Sequence, residues 1–445
     1  MNDARAMFRF HANLFRRRNK TQPPPRFCPD ITCWHIKCTR ERMRFMFYSH
    51  DGFGLGHTRR HLAVASALGE LNRNASILLA TGADYVARLG LPRHVEVLKL
   101  PSLRKVANEA YCSRHLQIPG DEIRALRSEL LLATVKGYRP DVVLVDKHPF
   151  GASGEFRAGL QALRRQGGRA VLGFRDILDE PEQVLREWRP FRMQQRIAHN
   201  FDQILVYGER AVFDPVSAYH FPASMTERTR FCGYVLNDER AAVIPDVEPP
   251  FPTRARRTRP VVLASAGGGE DGFRMLEAFM RSAVGAPWQG CVVSGPMTPD
   301  VELAELERLA QACGVIFRAF VPHLSCLFDS ADALVCMGGY NTLTEAVAHG
   351  IPTVCVPRTV PRREQLIRAE AFARLGLLQV CLPTELHPAW LRQKIESALE
   401  SPREALHARA HTKLQFDGAR RAAKHLLQLG REAVDRDKAS TLAAA

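Results

Sequence analysis

The run Cys336-Met337-Gly338-Gly339-Tyr340-Asn341-Thr342-Leu343-Thr344-Glu345-Ala346 has residue types and spacing suited to holding an anion. An apolar strand, Ala333 to Cys336, gives way to a glycine turn. The turn opens a helix whose first residues are small or polar, so unpaired backbone N–H groups face whatever lies above them. Phosphate and ribose suit such a place. A second turn, Ser265-Ala266-Gly267-Gly268-Gly269, closes another apolar run, and three consecutive glycines let main-chain amides approach a charged group closely. A third, Ser49-His50-Asp51-Gly52-Phe53-Gly54-Leu55-Gly56-His57-Thr58, ends on a histidine at a helix start. The positive end of that helix favours neutral imidazole, the form that accepts a proton. Asp51 is the rival base, or else an ordinary turn residue. Asp146 and Asp176 end apolar runs, where open parallel sheets bind ligands. Each is either a substrate contact, a helix cap or one half of a buried ion pair.

The third turn does not make a dinucleotide site. Histidine stands at position 57 where that fingerprint needs glycine, and Thr81-Gly82 stands where an acidic residue should close the second strand.

The elements that must position these residues alternate. Apolar strand runs at 44 to 50, 75 to 80, 95 to 100, 141 to 146, 169 to 174 and 203 to 207 are separated by helical patterns near 57 to 70, 83 to 89, 121 to 136 and 153 to 166. That rhythm predicts a parallel, doubly wound sheet. It fails between 237 and 259, which is rich in proline and arginine and reads as a linker. A second set follows at 260 to 263, 290 to 294, 315 to 319, 333 to 336 and 353 to 357, with helices to about residue 428. The expected organisation is an extension over 1–43, a first domain over 44–236, a linker over 237–259, a second domain over 260–428 and a frayed tail over 429–445. The fold class is α/β, two Rossmann-like doubly wound parallel-sheet domains facing across a cleft.

A chain of 445 residues with 46% hydrophobic content fits two globular domains. The formal charge is +15, but residues 1–42 hold ten Lys/Arg against three Asp/Glu, so +7 lies there and +8 elsewhere. Net charge does not choose among nucleic acid, anionic lipid and phosphorylated substrates. No aromatic-studded basic stripe supports nucleic acid, so none is expected as a partner. The eleven cysteines are scattered, which fits reduced thiols in the cytoplasm. Cys28, Cys33 and Cys38 are spaced too widely for a zinc site, and no metal is expected. No apolar run reaches the roughly 18 residues that span a bilayer. Met43, directly before the first strand, is a candidate natural start of translation, which N-terminal peptides from before residue 43 would reject.

The motif at 336–352 resembles the nucleotide-sugar signature of the MurG-like glycosyltransferases, family 28, which add N-acetylglucosamine during peptidoglycan synthesis. The resemblance covers roughly residues 44 to 425 and is carried by short motifs. It implies the two-domain GT-B arrangement and an inverting transfer of a hexose-type sugar from a nucleotide diphosphate, with UDP expected. It assigns Glu345 to the donor ribose and Glu364 and Gln365, after the loop Pro357-Arg358-Thr359-Val360-Pro361-Arg362-Arg363, to the sugar. Ser265, Gly267, Gly268 and Gly269 would meet the diphosphate, beside Gly338, Gly339, Asn341 and Thr342. Phe320 and Val321 would border the base. Gly54 and Gly56 would face the acceptor and His57 would position or deprotonate it, while Asp146 and Asp176 are candidate acceptor contacts from their strand-end position alone. Thr342-x-x-Glu345 is equally a capping box that needs no ligand. No cofactor and no divalent metal are implied, since helix N-termini can carry the leaving diphosphate. The alternatives are an epimerase or hydrolase of the same donor, or a non-catalytic nucleotide-sugar-binding subunit. The positive charge is compatible with peripheral contact at the inner face of a membrane. The segment Arg175-Asp176-Ile177-Leu178-Asp179 and the Pro-Arg loop have no counterpart in the peptidoglycan enzyme, so its acceptor does not carry over.

Overall fold

A computed structural model gives the fold and describes residues 42–50, 56–84, 86, 90–107, 110–237, 250–251 and 256–443. Asp51 and Gly54, the cysteines at 28, 33 and 38, and most of the expected linker lie outside these residues.

In chain order the first half holds β1 (Arg44–Ser49), β2 (Ser76–Thr81), β3 (Val95–Lys99), a hairpin β4 (Leu103–Ala107) and β5 (Ala110–Ser113), then β6 (Val142–Asp146), β7 (Arg169–Arg175), β8 (Gln203–Tyr207) and β9 (Thr229–Phe231). Seven of these form a parallel sheet in the order β3-β2-β1-β6-β7-β8-β9. The second half holds β10 (Val261–Ser265), β11 (Gln289–Val293), β12 (Ile316–Arg318), β13 (Ala333–Cys336), β14 (Thr353–Cys355) and β15 (Gln379–Val380), ordered β12-β11-β10-β13-β14-β15. Both sheets wind outward from a central first strand, so each has a switch point beside β1 or β10, where the ends of neighbouring strands splay open.

β1 and β6 are buried at nearly every position because helices cover both faces, which is why their sequences are unbroken apolar runs. The edge strands β9 and β15 and the hairpin were not legible, being two to five residues long and only partly buried where described.

The C-terminus corrects the expected tail. Residues 429 to 443 continue a helix, Gly418–Ala443, which leaves the second half and packs on helix Gly56–Leu71 and on β6 and β7 of the first sheet. Ala422, Ala423, Leu426 and Leu427 join Phe45 and Leu62 in one core. Two chain segments therefore cross between the halves, and they touch. Tyr234 N–H donates to Gln415 O at 2.7 Å, Gly418 N–H to Tyr234 O at 3.0 Å, and Val235 bridges Asp417. Gly233, at φ 77°, is required here, since a Cβ would lie 2.7 Å from Gln415 O.

Candidate functional site

The ends of β1, β10 and β13 open into one cleft of about 260 Å³ between the halves. It gathers twelve of the expected residues: Gly56 and His57 from the first half, and Ser265, Gly267, Gly268, Gly269, Phe320, Val321, Gly339, Asn341, Thr342 and Gln365 from the second. The glycine turn after β10 has its shape for a steric reason. Gly267 and Gly269 take φ of 68° and 100°, and a Cβ on Gly269 would stand 2.3 Å from Thr298 Oγ1. Met297 N–H donates to Gly268 O at 2.9 Å, and Gly267 N–H donates to the buried Ser265 Oγ at 3.2 Å.

The helix after β13 is Tyr340–Ala348, with Gly339 as its N-cap and no side-chain cap. Thr342 is thus inside the first turn and the expected capping box does not form; Thr342 faces the cleft instead. Asn341 Oδ1 is buried there and has no hydrogen-bond partner among the described residues.

Four expected residues of this region are placed elsewhere. Glu345 is 3% exposed, does not line the cleft and accepts from Asn237 Nδ2 at 3.0 Å. Glu364 is buried under Arg358 Nη2 at 2.9 Å; burial raises its carboxyl but Arg175, Arg358 and Arg368 outweigh this and hold it low. Gly338 lies behind the cleft wall, where a Cβ would meet Gln365 O at 2.7 Å. Asp176 is spent on a buried bridge, since Arg368 donates Nε to Oδ2 and Nη2 to Oδ1, both at 2.7 Å, and Nη1 to Gly338 O. It is an interdomain tie rather than an acceptor contact.

Asp146 is likewise an ion pair, with partners remote from its neighbour Lys147. Arg60 Nη2 stands 2.5 Å and His57 Nδ1 3.1 Å from its Oδ2. Burial raises this carboxyl, but Arg60 and His57 overcome burial and hold it well below the usual carboxylate range. Arg60 Nη2 also lies 2.9 Å from His57 Nδ1, and its guanidinium sits over Tyr207 at 5.2 Å and Tyr340 at 5.3 Å. In the tautomer that donates Nδ1–H to Asp146, Nε2 is the nitrogen left free to accept.

Arginines are what sequence reasoning missed. Arg175 lines the cleft half-buried, and among the described residues it has no hydrogen bond or ion pair. Burial depresses its guanidinium, and the neighbouring Arg368 and Arg60 add to this against the opposing pull of Glu364 and Asp176. Arg59 reaches across to Pro322 O. Arg358 is fixed by Asp271 at 2.7 Å and by Glu364, with its N–H on Gln365 Oε1 at 3.1 Å. Arg362 and Arg363 bind the first half: Arg362 to Asp179 and Glu187 at 3.2 Å, Arg363 N–H to Asp179 at 2.8 Å. The segment following β7 and the Pro-Arg loop are therefore each other's partners.

Residues 300–426 match the glycosyltransferase family 28 C-terminal domain. The chain is 24% identical over 390 residues to the UDP-N-acetylglucosamine–N-acetylmuramyl-(pentapeptide) pyrophosphoryl-undecaprenol N-acetylglucosamine transferase of Nocardioides sp. strain JS614, covering 84% of this chain and 95% of that one. Against the enzyme of the same name from Glaesserella parasuis it is 24% identical over 152 residues and spans only 43% of that protein. Among solved structures it is similar to Acinetobacter baumannii MurG, at TM-score 0.54, 14% identity and 87% and 99% coverage. It is also similar to CalG4, the calicheamicin glycosyltransferase, at TM-score 0.53, 20% identity and 89% and 98% coverage. The two parallel sheets facing one cleft are the GT-B fold.

Proposed function

We propose, for a chain that belongs among the MurG-like glycosyltransferases of family 28, an inverting transfer of a hexose-type sugar from a nucleotide diphosphate to an acceptor held by the first half. One observation carries this reading. The glycine turn after β10, the N-terminus of helix Tyr340–Ala348 and Arg175 converge on the cleft that His57 enters from the other side. Amides and a guanidinium match the charge of a departing diphosphate, and a carboxylate-oriented imidazole matches a hydroxyl that must lose its proton. The acceptor oxygen attacks the anomeric carbon, the bond from that carbon to the diphosphate oxygen breaks with its electron pair leaving on the diphosphate, and the proton passes to His57 Nε2. A single displacement inverts the anomeric centre. Amide donors and Arg175 take the part a divalent metal plays elsewhere. UDP is the expected nucleotide, in keeping with the Nocardioides relative's name. The chain has no helix, among the described residues, long and apolar enough to cross a membrane, and contact with an anionic membrane surface would come from its basic charge.

Calorimetric titration with UDP-, GDP- and TDP-sugars tests the donor half. Arg175→Ala is expected to weaken binding by about tenfold or more, the size of one lost charge-assisted contact. His57→Ala is expected to bind donor normally and lose turnover by about 10² or more. Unchanged donor affinity in Arg175→Ala sinks the diphosphate assignment. Sugar release or epimerisation without any acceptor would favour a hydrolase or epimerase.

A further inference from the structure

A second cavity, of about 610 Å³, lies wholly on the first-half side of the cleft apart from Arg362. Its wall is apolar, with Phe150, Leu178, Val184, Trp188 and Met193. Its rim is cationic. Arg196 and Arg157 stand over the same Phe150 ring, 4.5 and 5.8 Å from its centroid, and among the described residues neither has a carboxylate partner. Burial and the neighbouring Arg157 both depress Arg196. Both arginines also line an adjoining hollow of about 400 Å³ that adds Arg164 and Arg165. Glu187, the only carboxylate among the described residues lining the cavity, is bound by Arg362. Two guanidiniums held on one ring, with no carboxylate partner among the described residues, favour an anion beside an apolar cavity.

The cavity begins at Lys147 and His148, the residues following the Asp146 that orients His57. The His148 ring is 4.2 Å from that of His50, which is 5.9 Å from that of His57. A row of rings thus runs from the cavity wall to the base. We propose that this cavity holds the acceptor, and that the acceptor is a small amphiphilic anion: an apolar body against Trp188 and Leu178, carrying a phosphate or carboxylate bound by Arg157 and Arg196. Its volume lies within the roughly 300–1,000 Å³ of pockets for drug-sized molecules. The inference rests on the transferase reading for its role, while the binding chemistry stands on the cavity alone.

The test is calorimetry of the full chain with 1-naphthyl phosphate, 2-naphthoate and neutral 1-naphthol. Both anions are expected to bind at one site at least about tenfold tighter than naphthol, with the advantage falling as salt rises. Arg157→Gln/Arg196→Gln should erase the advantage and leave naphthol binding intact, and Arg157→Lys/Arg196→Lys should restore part of it. Equal binding of anion and naphthol, or an unchanged double-Gln variant, overturns the proposal. So does binding confined to anionic phosphatidylglycerol vesicles, which would make the patch a membrane surface. UDP titrated separately keeps the outcomes apart. Normal UDP binding with failed naphthyl phosphate binding rejects only this inference, whereas failed UDP binding with intact naphthyl phosphate binding rejects only the donor reading.

Discussion

At the scale of single residues, the first helix concentrates opposed demands into one turn. Arg60 and His57 share Asp146, and His61 follows with its ring 5.3 Å from Phe47 and neither nitrogen hydrogen-bonded. Burial, the largest influence, lowers His61 to about 4 against the opposing pull of Asp146, with Arg60 and His57 adding lesser downward contributions. The sign follows directly. The unfolded chain protonates this group near pH 6.5, the native protein only near 4, so the unfolded state binds the proton first as pH falls. Stability present above pH 6.5 is lost between there and pH 4, by at most ~3 kcal/mol from this group. His50 and His148 are depressed in the same direction. Urea midpoints at pH 7.5 and 4.5 should therefore differ less in His61→Leu than in the parent, and an undiminished difference removes His61 from the account. Gly267 and Gly269 line the cleft at positive φ, a conformation that favours the glycines their motif carries. Arg175 was not legible in the sequence. It and Asp176 are successive residues leaving β7, whose side chains alternate, and nothing local says which one turns into the cleft.

At the scale of elements, the union of the two halves depends on segments far apart in sequence. The stretch after β7, Asp176 to Glu187, meets the loop and helix from Arg358 to Arg368 through one buried bidentate pair and several flanking bridges. Partners some 190 residues apart leave no periodicity, so the parallel strands were legible as buried apolar runs while this contact was not. Arg368→Met should cost about 3–5 kcal/mol, because Asp176 stays buried without its cation. It should also weaken donor binding by releasing Gly338 O. Adding Asp176→Leu should recover much of the stability, read by urea denaturation, without recovering donor affinity. Full recovery of both would mean that the pair has no part in setting the donor turn.

At the scale of the molecule, the halves are sewn together twice, at 232–237 and at 415–418, and the final helix belongs to the sheet with which the chain began. A chain ending at residue 417 should therefore fail as a first-half defect. Met43, Phe45 and Leu62 would lose Gly430 and the leucines that cover them, and the product should elute as aggregate on size exclusion while its second sheet remains formed. The same return path sets a timetable during synthesis. A growing chain makes the first sheet early but cannot close its apolar face until the last helix has left the ribosome. Throughout translation of the second half, that open surface is exposed to chaperones and to other nascent chains.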